Sequence, residues 1–553
     1  MELRFLFATA TCKAMQCRVP FSRLSGFSEL FQTYCADYGR LADWYAGDWR
    51  TLDAYRDVAS RVDARSLPRD TIADLLERQH GVWGCTDAQR HNIALLRSPE
   101  TLAVVTGQQV GIFGGPLYTL YKALTAVALA AHLRRALGRA VVPVFWLEGG
   151  DHDLQEVAQT YLIQGGAVVQ GRYQGHAPPE HGNLGSVGRL RFTRDIERVK
   201  EELMAAMPPS EFRQRAEEQW LAAYRQGATF LGAFAVSMSQ LFGGTGLLFL
   251  DPESAEAKRL AAPVFSREIQ SCATSYALLE EASRSLDRDY HAQVRPRATN
   301  LFVTGEAGRE AILPDRDSFV LRYSGQHYSG DALLQWIAET PERFSPNVAL
   351  RPVVQDWLLP TVAYVAGPGE VAYFAQIKGL YDAFGVPMPV VHPRASLTIV
   401  EARVQKALQR AGLEMADMGH DLERIFQRVV LNESDIDSVF AAASPPIDTA
   451  IANMKPAIER VDPTLGRSVE ATRALIRKEL GKLKGRAVRA EKRKQETLYN
   501  MLAKAQAHLY PAGKPQERVL SPLYFFSRYG SKFFDTLGAT VSLDTSEHQV
   551  LFL

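Results

Sequence analysis

The chain has 553 residues, 46% hydrophobic and 10% aromatic, enough for several domains around a large core. Its 63 Lys and Arg against 62 Asp and Glu leave a formal charge of +1, which gives no whole-chain argument for nucleic acid or an anionic membrane. The five cysteines, Cys12, Cys17, Cys35, Cys85 and Cys272, form no CxxC pair; this argues against a zinc ribbon or a disulfide scaffold and fits a reducing cytoplasm.

No apolar run approaches the roughly 18 residues of a membrane span. The opening MELRFLFATATC has too short an apolar run for a signal peptide, and Met15 offers a second start. Residues 1–100 read as an N-terminal helical section packed on a core, with helical patterns rich in Tyr, Trp and Arg from about residue 20.

Residues 101–164 read as the first half of a nucleotide-type α/β core. A short apolar run, Leu102–Val105, leads into Thr106-Gly-Gln-Gln-Val-Gly111 and Gly114-Gly-Pro116. Pro116 then opens a helical pattern to about Leu137, followed by the buried-strand run Val141–Leu147. This is strand, loop, helix, strand. The loop lacks P-loop spacing and does not fit G-x-G-x-x-G. Its glycines suit close approach to a ligand, and the helix start suits an anion. Gln108, Gln109, Tyr118, Thr119 and Lys122 converge on one loop mouth. Lys122 lies off the apolar stripe Leu117, Leu120, Leu124, Val127 and Ala131, and its stem leans back toward the loop. The alternative is a solvated surface lysine.

The second strand ends in Glu148-Gly-Gly-Asp-His-Asp153. His152 suits acid/base work, and the carboxylates of Asp151 and Asp153 suit Mg²⁺ beside a nucleotide. Asp153 reads equally well as the cap of a helix beginning near Leu154.

Residues 165–344 read as an insertion, with Gly246–Asp251 as a strand that the main sheet can claim. Residues 345–396 form the second half of the core. There an apolar run from Pro360 meets the strand-to-helix turn Gly367-Pro-Gly-Glu370, a helix from Val371 to about Phe384 and the run Val386–Arg394. Glu370 also suits a helix start for structural reasons alone, and Arg351 and Arg394 suit carboxylates. Residues 397–510 read as a helical coiled-coil domain. After the Pro-containing stretch Ser444–Pro463, a seam with steps of three and four runs from Val469 to Leu509. The Lys and Arg between Arg477 and Lys494 read as a solvated face, so nucleic acid is not expected as a partner. Residues 511–553 return to the core. No G-x-S-x-G, H-E-x-x-H or Walker A appears, no cysteine sits in a nucleophile context and no resident metal is expected.

Together these segments resemble the BshC family of bacillithiol-synthesis, cysteine-adding enzymes. The segments are Thr106-Gly-Gln-Gln-Val-Gly, Gly115-Pro-Leu-Tyr-Thr-Leu-Tyr-Lys122, Pro143-Val-Phe-Trp with Asp151-His-Asp153, Arg343-Phe-Ser-Pro-Asn-Val-Ala-Leu-Arg351, Tyr364-Val-Ala-Gly-Pro-Gly-Glu-Val-Ala-Tyr373 and Gln516-Glu-Arg518. The resemblance implies an α/β fold with a Rossmann-type core like that of class I aminoacyl-tRNA synthetases, inserted connective subdomains and a coiled-coil domain. It implies a ligase that joins L-cysteine to the amine of glucosaminyl malate. Amide formation in water is uphill, so ATP is expected to activate the cysteine carboxyl. The expected catalytic residues are Lys122, His152 and Asp153. The expected binding residues are Thr106, Gly107, Gln108, Gln109, Gly111, Gly115, Tyr118, Thr119, Asp151, Asn347, Arg351, Tyr364, Gly367, Gly369, Glu370 and Arg394. One departure is Gly150, where an acid is expected before Asp151; Glu148 lies two positions earlier. HIGH and KMSKS signatures are absent. The competing reading is a synthetase-like nucleotide- or RNA-binding protein without ligase activity. An arm as long as Val469–Leu509, roughly 60 Å of helix, must bury its stripe against Leu397–Val430 or a second copy, so a homodimer is expected.

Overall fold

The computed structural model describes residues 16–177, 179–433, 436–494 and 496–553; Cys12 and Met15 lie outside them. The chain forms two compact units. One runs up to Ile399 and takes in Pro515–Leu551; the other is Val400–Lys514 with Phe552–Leu553.

The first unit is built on a five-stranded sheet: β1 (Leu102–Gln109), β2 (Val141–Glu148), β3 (Leu248–Leu250), β4 (Thr361–Ala366) and β5 (Val390–Pro393). All pairings are parallel, in the order β5-β4-β1-β2-β3. Such strands are buried on both faces, and their sequences are accordingly continuous apolar runs rather than alternating ones. Leu102–Val105, Val141–Leu147 apart from the proline, and Val362–Ala366 are core side chains. Helices α1 (Leu117–Leu137), α2 (Ala255–Leu286), α3 (Arg351–Leu358) and α4 (Pro368–Phe384) accompany them. Local chemistry sets the ends of α1 and α4. Pro116 precedes the first and Pro368 opens the second, while Gly138 and Gly385 end them in the left-handed region at φ 66° and 65°.

The strand order reverses between β1 and β4, because β1, β2 and β3 progress one way and β4 and β5 lie on the other side. The carboxyl ends of β1 and β4 therefore flank the topological switch point, where open α/β sheets bind ligands.

The N-terminal helices close one edge of this sheet. Gln79 donates to the Asp251 carbonyl at 3.0 Å and accepts from the Asp251 N–H at 2.9 Å, and His80 Nε2 accepts from Phe249 N–H at 3.0 Å. Side chains thus satisfy the backbone beside the edge strand β3. Tyr34 and Tyr45 donate to the carbonyls of Val391 and Val371, tying the same section to β5 and α4.

Between α2 and α3 lies a separate antiparallel sheet of five strands: Leu301–Gly305, Gly308–Asp315, Ser318–Leu321, His327–Ser329 and Phe344–Pro346. The last of these crosses the boundary expected at residue 344. The insertion is thus interrupted by β3, which belongs to the main sheet, and ends in a strand of its own. The C-terminal strand His548–Phe552 pairs with Gln16–Val19.

The second unit contains a helical hairpin of α5 (Ile436–Val461) and α6 (Gly466–Lys494), followed by α7 (Glu496–Leu509). Asp448 pairs with Arg473 at 3.1 Å and with Arg477, and Lys455 with Glu470 at 2.9 Å. Of the Pro-containing stretch Ser444–Pro463, Pro463 falls in the turn between the two helices. Pro445, Pro446 and Pro456 all lie inside α5. Packing against α6 outweighs their intrinsic cost, and α5 rather than Leu397–Val430 is the chief partner of α6. No helix among the described residues is long and apolar enough to cross a membrane.

Candidate active site

A cavity of about 740 Å³ opens at the switch point. Gly107, Gln108 and Gln109 reach it from the end of β1, Trp146 and Glu148 from β2, and Gly367 to Glu370 from the turn after β4. The antiparallel sheet adds Phe302, Arg309 and Pro346, and the C-terminal segment adds Glu517 and Arg518.

The floor is an ion pair across the switch point. Lys122 Nζ, on α1, lies 2.5 Å from Glu370 Oε2, at the start of α4. The same ammonium donates to the Gly107 carbonyl at 2.7 Å and to Gln108 Oε1 at 3.0 Å. Lys122 thus leans back to the loop, and its three donors are all taken. Glu370 also accepts from Gly367 N–H at 2.6 Å and Tyr364 Oη at 2.7 Å. Burial alone would raise this carboxyl; Lys122, then the Gly367 and Tyr364 donors, hold it below the usual range. Gly367 fits because a Cβ there would stand 3.3 Å from Glu370 Oε2 and 3.7 Å from Lys122 Cε.

Arg351 continues the network. It donates to Tyr373 Oη at 2.8 Å and to Gln355 Oε1 at 3.1 Å, and its Nε is 3.6 Å from Glu148 Oε2. Gln355 is held in turn by Asp356, which also accepts from Tyr381 at 2.5 Å. Burial raises Asp356 to about 6. Arg394 forms a fork with Glu517, at 2.9 and 2.7 Å, over the Tyr118 ring. Both arginines line the cavity, yet their guanidiniums are largely committed to the protein.

Acidic residues and a histidine also line the cavity. His152 Nδ1 lies 3.4 Å from Asp151 Oδ1 and 3.5 Å from an Arg309 nitrogen. Its Nε2 has no hydrogen-bond partner among the described residues. Gln109 donates to both Asp151 and Glu156 at 2.9 Å. Burial raises the Glu148 carboxyl, and Arg351 opposes the shift. Glu148 therefore supplies an acid to the cavity although Gly150 does not.

Other expected residues stand elsewhere. Asp153 is exposed, lies outside the lining and caps the short helix Leu154–Val157 through the N–H groups of Gln155 and Glu156. Thr106 donates to the Val365 carbonyl at 2.9 Å, tying β1 to β4. Thr119, Gly111 and Gly115 are buried outside the cavity. The expected anion-binding loop is filled by the protein itself. The N–H groups of Gly111, Gly115 and Thr119 donate to Gln109, Ile112 and Pro116, that of Leu117 to Leu520, and that of Gly114 to Tyr224 Oη. Gly111 and Gly115 pack on each other, with Gly115 at φ 70°. Asn347 lines the cavity, but its carbonyl oxygen caps Ala349 and Leu350 and its amide donates to Asn300. Among the described residues no group of three or more His, Cys, Asp or Glu side chains is placed to hold a metal ion, and no cysteine lines the cavity.

Sequence reasoning passed over Trp146, Glu148, Phe302, Arg309, Tyr373, Gln376 and Glu517, and also Arg295, Arg297 and Arg518. The available signal for two of them was Arg295-Pro-Arg297, an arginine pair about a proline outside any helical pattern.

Two family descriptions match the chain: "Bacillithiol biosynthesis BshC, N-terminal Rossmann-like domain" over residues 15–395, and "Bacillithiol biosynthesis BshC, C-terminal coiled-coil domain" over 397–553. The chain is 46% identical to the "Putative cysteine ligase BshC" of Salinibacter ruber, over 97% of this chain and 98% of that protein. It is 34% identical to the protein of the same name from Chlorobaculum tepidum, over 96% and 97%. With that of Symbiobacterium thermophilum the figures are 32%, 97% and 99%. With a Rossmann-like sheet whose switch point carries the cavity, and matches along both of its units, the chain belongs to the BshC family.

Proposed function

We propose that this protein is a ligase of bacillithiol biosynthesis that forms the amide between the L-cysteine carboxyl and the amine of glucosaminyl malate. The observation that carries the reading is the pairing of Asp151 with His152 at the wall of the switch-point cavity, with the imidazole Nε2 unpartnered. An amine must lose a proton to attack a carbonyl carbon, and a neutral imidazole beside a carboxylate is suited to take it. Asp151 then steadies the imidazolium. Glu148 and Asp151 suit an ammonium before attack, and Tyr118, Tyr364 and Gln108 suit sugar hydroxyls.

Amide formation from a free carboxylate needs activation, and ATP is proposed to supply it. Around the start of α1 the N–H groups of Gly111, Gly114, Gly115, Leu117 and Thr119 are already taken within the protein. Mg²⁺ would arrive on the nucleotide. The reaction is placed in the cytoplasm, where the thiol product stays reduced, and the working form is proposed to be a homodimer.

The test is mass spectrometry of the purified chain with cysteine and glucosaminyl malate, with and without ATP. An ATP-dependent amide is expected. No amide under any condition overturns the ligase reading, and full turnover without nucleotide overturns the ATP step alone.

A further inference from the structure

Six arginines line the cavity. Three are built into its wall. Arg309 donates to Ser345 Oγ and the Pro346 carbonyl, each at 2.8 Å, Arg351 to Tyr373, and Arg394 to Glu517. The other three, Arg295, Arg297 and Arg518, are exposed to it and have no hydrogen-bond or ion-pair partner for their side chains among the described residues.

Their backbones are nonetheless held. All of Gln293–Arg297 lines the cavity. Within it, Val294 N–H donates to Gln376 Oε1 at 2.9 Å and the Val294 carbonyl accepts from Gln376 Nε2 at 2.8 Å. Gln376 is 1% exposed and also donates to Ser283 at 2.7 Å. One buried amide thus fixes both backbone groups of a segment that has no regular structure, and Pro296 stiffens it between the two arginines. Arg518 stands on an equally fixed turn. Gln516 exchanges hydrogen bonds with the backbone of Ile399, and Glu517 holds Arg394 and Leu397 N–H.

Free guanidiniums on a pinned backbone beside a cavity are arranged for an external anion. Their forks match carboxylates two bonds at a time. We propose that Arg295, Arg297 and Arg518 form the subsite for the paired carboxylates of the acceptor, the malyl end of glucosaminyl malate. This rests on the ligase reading. The sugar amine is then to reach Glu148, Asp151 and His152, which line the same cavity. A polyphosphate offers similar anionic oxygens, so the test separates the two sources.

Calorimetric titration of the full chain with glucosaminyl malate, with the methyl glucosaminide that lacks malate, and with ATP reads binding without turnover. For Arg295→Ala/Arg297→Ala and for Arg518→Ala, affinity for glucosaminyl malate is expected to fall about tenfold or more, as loss of charged hydrogen bonds predicts. Affinity for the methyl glucosaminide and for ATP is expected to hold. In turnover the loss is expected mainly in KM for the acceptor, with KM for cysteine unmoved. Wild-type affinity for glucosaminyl malate in the variants overturns the subsite while leaving the ligase reading intact, and a selective loss of ATP affinity overturns it in favour of phosphate. Binding through these arginines in a chain that forms no amide keeps the subsite and removes the ligase. A wild-type chain that does not bind glucosaminyl malate overturns both.

Discussion

Lys122 Nζ and Glu370 Oε2 lie 2.5 Å apart, one on the helix that follows β1 and the other on the helix that follows β4. The pair closes the switch point from beneath, and both groups are buried or nearly so. A buried ion pair is weak evidence for net stability, but removing one partner strands the other charge. Lys122→Met is therefore expected to destabilise the fold by about 3–5 kcal/mol and to lower activity through the collapsed floor. The double variant Lys122→Met/Glu370→Gln is expected to recover much of that stability. Chemical denaturation of the single and double variants makes the cycle. Additive losses would mean that the two residues do not act as a pair.

His152 and Asp153 are sequence neighbours with different surroundings. His152 faces the cavity and Asp153 caps a four-residue helix. His152→Ala is expected to lower kcat/KM by about 10²-fold with an unchanged circular dichroism spectrum. Asp153→Asn keeps a capping oxygen and is expected to retain activity. The reverse pattern would move the chemistry to the far side of this loop.

Acid stability follows from three buried histidines. Burial lowers His80, His392 and His548 to about 4, 3 and 4, against roughly 6.5 in an unfolded chain. They stay neutral in the fold while the unfolded chain takes up protons. Stability is thus full above about pH 6.5 and is lost as the pH falls toward 4. Asp356, raised to about 6 by burial, works the other way, since the fold keeps its proton where the unfolded carboxyl ionises. Each of the three rings contributes at most about 1.4 kcal/mol per pH unit between these limits, and the raised Glu148 carboxyl opposes them as Asp356 does. Calorimetry at pH 7.5 and pH 5 should show a lower Tm at pH 5; an equal or higher Tm would contradict the burial of these rings.

The parallel sheet was legible because a strand covered on both faces must be apolar along its length. Val141–Leu147 and Leu102–Val105 carry that signature without needing a partner in view. The cavity floor was legible too, since polar residues follow these runs directly and Lys122 sits off the stripe of its helix. The anion-binding role of the loop was not correctly legible. Its glycines serve turns and mutual packing, and the carbonyl that takes the Leu117 N–H comes from Leu520, some 400 residues later. Arg309 was missed for the same reason, because tertiary packing brings it to the cavity and nothing beside it in sequence marks it, while Arg518 stood in the segment Gln516-Glu-Arg518 without being read as a site residue. In the hairpin, Pro445, Pro446 and Pro456 are accommodated inside α5, which packs against α6.

The hairpin leaves apolar surface uncovered. Of the ten large hydrophobic side chains exposed among the described residues, six belong to it: Val439, Met454, Val461, Leu465, Leu475 and Leu483. Val461 is 84% exposed and Leu475 and Leu483 more than half exposed. Leu475 and Leu483 are eight residues apart, close to two helical turns plus one residue, so they share a side of α6. A monomer has little reason to keep such a strip in water, whereas a second copy of the same strip would cover it with two-fold symmetry. Light scattering at micromolar concentration is expected to give twice the chain mass of 61.4 kDa. Leu475→Glu/Leu483→Glu is expected to give the single-chain mass with helix content unchanged, since both side chains are more than half exposed. A wild-type chain that scatters as a monomer would mean that the strip has another use. A double variant that stays dimeric would place the pairing surface elsewhere.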